Sequence, residues 1–144
     1  PYADVLLPGA SFAENDGTFT NTERRIQKVN KAIQSPGEAR TDWWITAELA
    51  KRVLAEGDRP VVDAAHSSWD YENTAQILAE ITALTPSYAG VSHTRLENGE
   101  TFQWPVKDEM HPGTPILHAG QFARGKGKFN PIEHVPPAEL PDDE

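Results

Sequence analysis

The sequence contains no cysteine. Within these residues that excludes a disulfide framework, thiolate zinc ligands, an iron–sulfur site and a cysteine nucleophile. It also fits a cytoplasmic chain. No apolar run approaches the roughly 18 residues a membrane-spanning helix needs, so no membrane partner is expected. Apolar residues are scarce: they make up 38% of the chain, and the mean hydropathy is -0.58. For 144 residues, one domain's worth of chain, this predicts a thin core. Basic residues number 13 against 22 acidic ones, a net charge of -9. Such a surface repels phosphate backbones, and no nucleic-acid partner is expected.

Short catalytic signatures are missing as well. His66-Ser67-Ser68 lacks the Gly-x-Ser-x-Gly elbow of a hydrolase. Arg124-Gly125-Lys126-Gly127-Lys128 could wrap an anion, but lacks the order of a phosphate loop and reads as a solvated turn. Histidines 66, 93, 111, 118 and 134 show no i, i+4 or His-x-Glu spacing. No metal ligand and no catalytic residue is therefore assigned.

Glycine and proline are plentiful, with 10 and 12 copies, which predicts long irregular connections. Val5-Leu6-Leu7, closed by Pro8-Gly9, suits a buried strand ending in a loop. Residues 9 to 22 read as a polar loop with a turn signal at Asn15-Asp16-Gly17, and Thr18-Phe19-Thr20 begins an extended segment. Between Arg24 and Ile33 the apolar spacing fits a helix, but the Thr-rich context favours a strand, and the segment reads as extended. Thr41 is a good N-cap for a helix over 41–55. Its apolar positions Trp43, Trp44, Ile45, Ala47, Leu49, Ala50, Val53 and Leu54 predict burial on more than one side, and Gly57 supplies a stop. A second helix opens on an Asn73/Gln76 capping-box pattern, carries Ile77, Leu78, Ile81 and Leu84, and ends at Pro86. Beyond Gly90, seven prolines forbid a long helix. The fold class is α/β, a mixed fragment with two helices and irregular extended segments. A start in mid-strand at Pro1 suggests a chain cut from something longer.

The densest polar constellation is the Thr- and Asn-rich stretch leading to Arg24-Arg25. Its amides, hydroxyls and guanidinium groups can hydrogen-bond a polar heterocycle or a pyrophosphate. The plainer alternative, which composition alone favours, is a solvated loop with local Glu23–Arg pairing. Asp42 can accept two donors from a purine- or pterin-like edge. It can equally be a first-turn acid favoured by the helix dipole.

The order of residues says more than their types. Tyr2-Ala3-Asp4-Val5-Leu6-Leu7-Pro8-Gly9-Ala10-Ser11-Phe12-Ala13-Glu14, followed by Asp16-Gly17-Thr18-Phe19-Thr20-Asn21-Thr22-Glu23-Arg24-Arg25-Ile26-Gln27, strongly resembles the large catalytic subunit of molybdopterin-dependent formate dehydrogenases. The likeness runs on through Pro36-Gly37-Glu38-Ala39-Arg40-Thr41-Asp42-Trp43, Leu84-Thr85-Pro86-Ser87-Tyr88-Ala89-Gly90 and Gln103-Trp104-Pro105. His111-Pro112-Gly113-Thr114-Pro115-Ile116-Leu117-His118 and Phe122-Ala123-Arg124-Gly125-Lys126-Gly127 resemble the formate dehydrogenase branch in particular.

The resemblance implies a parent enzyme that oxidises formate to CO2 at a Mo or W centre held by two molybdopterin guanine dinucleotides, with a [4Fe–4S] cluster outside this segment. Partners would be the remainder of the same catalytic subunit and an iron–sulfur or NAD/ferredoxin-linked electron-transfer subunit. The chain would form a partial cofactor site only and be inactive alone. Residues 1–57 would close the cofactor-binding α/β region. Residues 58–90 would form a connector with the second helix, and 91–144 a Pro-rich linker towards a C-terminal β-barrel domain. Alternatives are another enzyme of this superfamily, such as a nitrate reductase or a respiratory NADH-complex subunit, or a cofactor-free scaffold module. By resemblance, Asp42 matches a carboxylate that contacts a guanine dinucleotide. Asn15 falls where many members have a contacting Lys, so its ammonium is missing here. Asn21 and Arg24 sit in the matching loop on the cofactor side.

Overall fold

The computed structural model describes residues 2–56, 69–136 and 138. Its α/β character is as expected: a small antiparallel sheet with helices packed on it. Strand β1 (Gly17–Thr20) pairs with β2 (Arg25–Val29), which pairs with β3 (Phe102–Gln103). The extended reading of both early segments holds. Register is fixed at Thr20 opposite Ile26, and at Ile26 opposite Phe102. Ile26 is the one residue of β2 that is fully buried. A one-residue slip would turn it to solvent, so its burial pins the register.

The turn between β1 and β2 is built by Asn21. Its side-chain oxygen accepts from the backbone N–H of Glu23 at 3.0 Å and of Arg25 at 2.9 Å. Arg24 takes the left-handed conformation there, with φ 63°.

Helix α1 spans Asp42–Glu56 and α2 spans Thr74–Leu84. Both match the expected positions, and the expected Gly57 stop lies outside the described residues. At the start of α2, Asn73 accepts from the N–H of Gln76 at 3.0 Å. The return bond lands one residue early: the Gln76 side chain accepts from the N–H of Glu72 at 2.9 Å. A third helix, α3 (His93–Glu97), was not expected. Its cap is Ser92, whose hydroxyl accepts from the N–H of Arg95, and with five residues and no acid at N3 it leaves little periodic signal. Two short 3-10 turns, Phe12–Glu14 and Pro86–Tyr88, complete the regular structure of the described residues.

One core forms where these pieces meet. Ile26, Leu78, Val91, Leu96, Phe102 and Val106 are buried together, with Tyr88 and Trp104 against them. Each such side chain is worth on the order of 1.5–3 kcal/mol in transfer from water. The stretch after β3 is tied down by backbone bonds: Gly90 N–H to Val106 O at 3.0 Å, and Val106 N–H to Ser87 O at 2.8 Å. Past that point the described residues form no helix, and His118 to Pro136 are exposed throughout.

Two expectations about burial fail. Val5-Leu6-Leu7 form no strand and stand 75%, 85% and 57% exposed. A parallel strand needs covered faces, and here only a single bridge, Gly9 with Arg40, forms beside it. Helix α1 buries Ala47 alone, while Trp44, Leu49 and Val53 lie open. The sequence prepares these surfaces for covering that the described residues do not provide.

Candidate cofactor corner

The parallel bridge brings two loop ends together at one corner. Ala10 N–H donates to Arg40 O at 2.8 Å, and Arg40 N–H donates to Pro8 O at 3.1 Å. The chain then turns from Thr41 into α1, the Thr41 carbonyl accepting the N–H of Ile45 at 3.0 Å. Ends of parallel segments that lead into helix N-termini are where open α/β sheets seat ligands.

Asp42 occupies the first turn of α1, exposed, and its carboxylate has no hydrogen-bond or ion-pair partner among the described residues. It lies against Gly9 so closely that a methyl group at that position would stand 3.0 Å from Asp42 Oδ1. The absence of a side chain at Gly9 therefore leaves room beside the carboxylate. Asn15 belongs to the same loop, donating to Ser11 O at 3.0 Å and more loosely to Ala10 O at 3.4 Å. Next to the corner, a recess of about 240 Å3 is lined by Lys31, Ser35, Arg40 and Trp44 among others. The Arg40 guanidinium sits 5.7 Å from the centre of the Trp44 ring, held by a cation–π contact. The corner thus offers a free carboxylate on one side and two cations on the other. Lys31 and Arg40, nine positions apart in a basic stretch of the sequence, both line this recess.

The four residues expected to face a cofactor divide into two groups. Asn15 and Asp42 meet at the corner through Ala10 and Gly9. Asn21 and Arg24 lie at the far end of the β1–β2 hairpin, beyond the four residues of β1. There Asn21 is spent on the turn. Arg24 donates from Nη1 to the carbonyls of Trp104 and of Thr114, the latter at 2.9 Å, and from Nη2 to Pro115 O at 2.9 Å. Its own carbonyl accepts the Trp104 N–H at 2.7 Å.

The histidines remain scattered, and no metal-binding cluster occurs among the described residues. His111 Nδ1 accepts the N–H of Gly113 at 3.0 Å, and His118 packs on Phe122 with ring centres 5.1 Å apart. His66 lies outside the described residues. The stretch Arg124–Lys128 is exposed and closes a turn, Gly125 N–H bonding to Phe122 O at 2.9 Å.

Residues 1–52, which hold the whole corner, match the molybdopterin oxidoreductase family. The chain is 45% identical over 142 residues to the F420-dependent formate dehydrogenase subunit alpha of Methanocaldococcus jannaschii, with 97% of the chain covered. It is 44% identical over 144 residues to the F420-dependent formate dehydrogenase 2 subunit alpha of Methanococcus maripaludis, with 99% covered. The first 52 residues are thus similar to the molybdopterin oxidoreductases, and the whole chain to a segment of these formate dehydrogenase subunits. It spans about a fifth of the length of these two relatives, 20% in each case. The family match ends at residue 52, inside α1. The described residues contain no helix long and apolar enough to cross a membrane.

Proposed function

We propose that the chain is part of the catalytic subunit of a cytoplasmic formate dehydrogenase, and that the Gly9–Asn15–Asp42 corner holds the guanine end of a molybdopterin dinucleotide. The observation that carries this reading is the Asp42 carboxylate: exposed, without a partner among the described residues, and set against a glycine. Two free carboxylate oxygens match the paired N1–H and N2–H donors of guanine, a bidentate charge-assisted contact. Lys31 and Arg40, which line the recess beside the corner, would supply cations for a phosphate of the dinucleotide. The residues present therefore fit such a group. When bound, the metal–pterin centre supplies the two-electron acceptor for formate.

In this reading the chain's own task is binding and orientation. Asp42 sets the guanine edge, and Asn15 holds the loop that carries Gly9. Asn21 and Arg24 act at one remove, by fixing the hairpin from which that loop departs. The relatives are named as alpha subunits, and their F420 dependence supports an electron-transfer partner that receives the electrons.

The test is cofactor retention in the full-length protein that carries this chain. Asp42→Asn keeps the size of the side chain and removes one acceptor and the charge. It should lower the guanine nucleotide released on acid treatment, and the bound Mo or W, by roughly tenfold or more at limiting cofactor. Thermal stability of the cofactor-free protein should not change. Full loading of the variant would sink the assignment of Asp42.

A further inference from the structure

A cavity of about 410 Å3 lies between α1 and α2 and shares no lining residue with the recess beside the corner. Three aromatic residues line it: Trp43 from α1, and Trp69 and Tyr71 from the segment entering α2. Trp69 and Tyr71 stand edge to face, ring centres 6.3 Å apart and planes at 80°, so they make an inner corner rather than a stack. Glu80 of α2 supplies the only acidic side chain of the lining among the described residues. One of its oxygens accepts the Tyr71 hydroxyl at 2.6 Å, and the other has no hydrogen-bond partner among the described residues. That hydrogen bond, with partial burial and the carboxylate's charge, pushes Tyr71 up to about 12, so the phenol stays neutral at ordinary pH.

The chemistry of this lining selects its occupant. Aromatic faces present negative potential, and the carboxylate adds a full charge to the same side. The ammonium of Lys51, also on α1, is already committed to Glu48 and to Asp70, the latter at 3.4 Å. A neutral apolar guest would leave the Glu80 oxygen facing hydrocarbon. A metal ion would find one carboxylate where it needs several oxygens. A cation wearing an apolar coat meets both demands, because its charge is weakly hydrated and its methyl groups fill the ring corner.

We propose that the Trp43–Trp69–Tyr71–Glu80 cavity binds an N-methylated ammonium group, either as a free organic cation or as a methylated lysine side chain. This site is separate from the cofactor corner and does not depend on the reading given to that corner.

The test uses the full-length protein and three probes: choline, its neutral carbon isostere 3,3-dimethylbutan-1-ol, and a trimethyl-lysine peptide. Binding is followed by calorimetry and by saturation transfer to the methyl protons. Choline or the peptide should bind saturably, and the neutral isostere roughly tenfold more weakly than choline. Tighter binding of the peptide than of choline assigns the site to a protein side chain, and the reverse order to a free cation; either supports the proposal. Trp69→Leu and Glu80→Gln should each weaken binding several-fold, and Trp69→Phe should restore part of it. Glu80→Gln keeps an acceptor for the Tyr71 hydroxyl, so the variant should unfold at the wild-type temperature. Equal affinity for choline and its isostere would overturn the proposal. So would unchanged ammonium binding in Glu80→Gln, or no saturable binding of any ammonium probe.

Discussion

The guanidinium of Arg24 donates to the carbonyl of Thr114 at 2.9 Å, across 90 positions of sequence. Together with its bonds to Trp104 O and Pro115 O, this makes one side chain the anchor for the whole turn after β3. The loss of Arg24 would strand three carbonyls at once. Arg24→Gln should therefore destabilise the chain by about 2–3 kcal/mol, since each bond to a charged donor carries more than a neutral one. Arg24→Lys should recover less than half of that, because a single ammonium cannot span the three acceptors. Chemical denaturation measures the change, and faster protease cleavage between residues 104 and 136 should accompany it. A loss within about 0.5 kcal/mol, as for an ordinary surface substitution, would show that Arg24 is not the anchor.

Arg24 also shows where the sequence could be read and where it could not. The resemblance set it on the cofactor side, while the carbonyls that engage it are 80 to 91 residues away and carry no local signal. Local features were legible. The Thr-rich strand, the Asn73 cap and the start of α1 at Asp42 all follow from side-chain chemistry within a few residues. Burial was not, because apolar content says which face seeks cover and not whether cover is present: Leu6 and Val53 are as apolar as Leu78 and stay exposed. Of the candidate corner, Asp42 and Asn15 were singled out through resemblance. Gly9 became informative only once the bridge to Arg40 placed it beside Asp42.

Gly90 and Gly37 should respond very differently to alanine. A Cβ on Gly90 would lie 1.9 Å from the carbonyl oxygen of Asp108, a backbone atom that cannot step aside without breaking the Gly90–Val106 bond. Gly90→Ala should cost about 3 kcal/mol or more, or prevent folding. Gly37 has φ 53° and open space around it, so Gly37→Ala meets only backbone strain of about 1 kcal/mol. Thermal unfolding of the two variants side by side decides the matter. Equal losses would mean that segment 105–108 does not press on Gly90 as described.

Alkaline pH should weaken the fold through Tyr71. Its folded value, about 12, lies above the ordinary 10.0 because the hydroxyl is hydrogen-bonded to Glu80. A raised value means that the contribution is fully present below pH ~10, where Tyr is protonated in both states, and is lost as pH rises from there through about 12. Solvent near this partly buried ring reduces the effect to about 1 kcal/mol. Denaturation at pH ~9 and ~11.5 should show the decline in wild type and a smaller one in Tyr71→Phe. An identical decline in both proteins would remove Tyr71 from the account.

Gly9→Ala separates room at the corner from the stability of the chain. The added methyl would stand 3.0 Å from Asp42 Oδ1, a contact tight enough to displace the carboxylate by a few tenths of an ångström. Because Asp42 is exposed, it can turn towards water, and the fold should lose no more than about 0.5 kcal/mol. Cofactor retention in the full-length protein should fall, because a bidentate contact tolerates little misplacement. If Gly9 acts through Asp42, then Gly9→Ala should add almost nothing in an Asp42→Ala background, whereas independent effects would multiply. A double variant that retains far less cofactor than Asp42→Ala alone would mean that the methyl group obstructs the cofactor directly. The role assigned to Gly9 would then be to admit the ligand rather than to position the carboxylate.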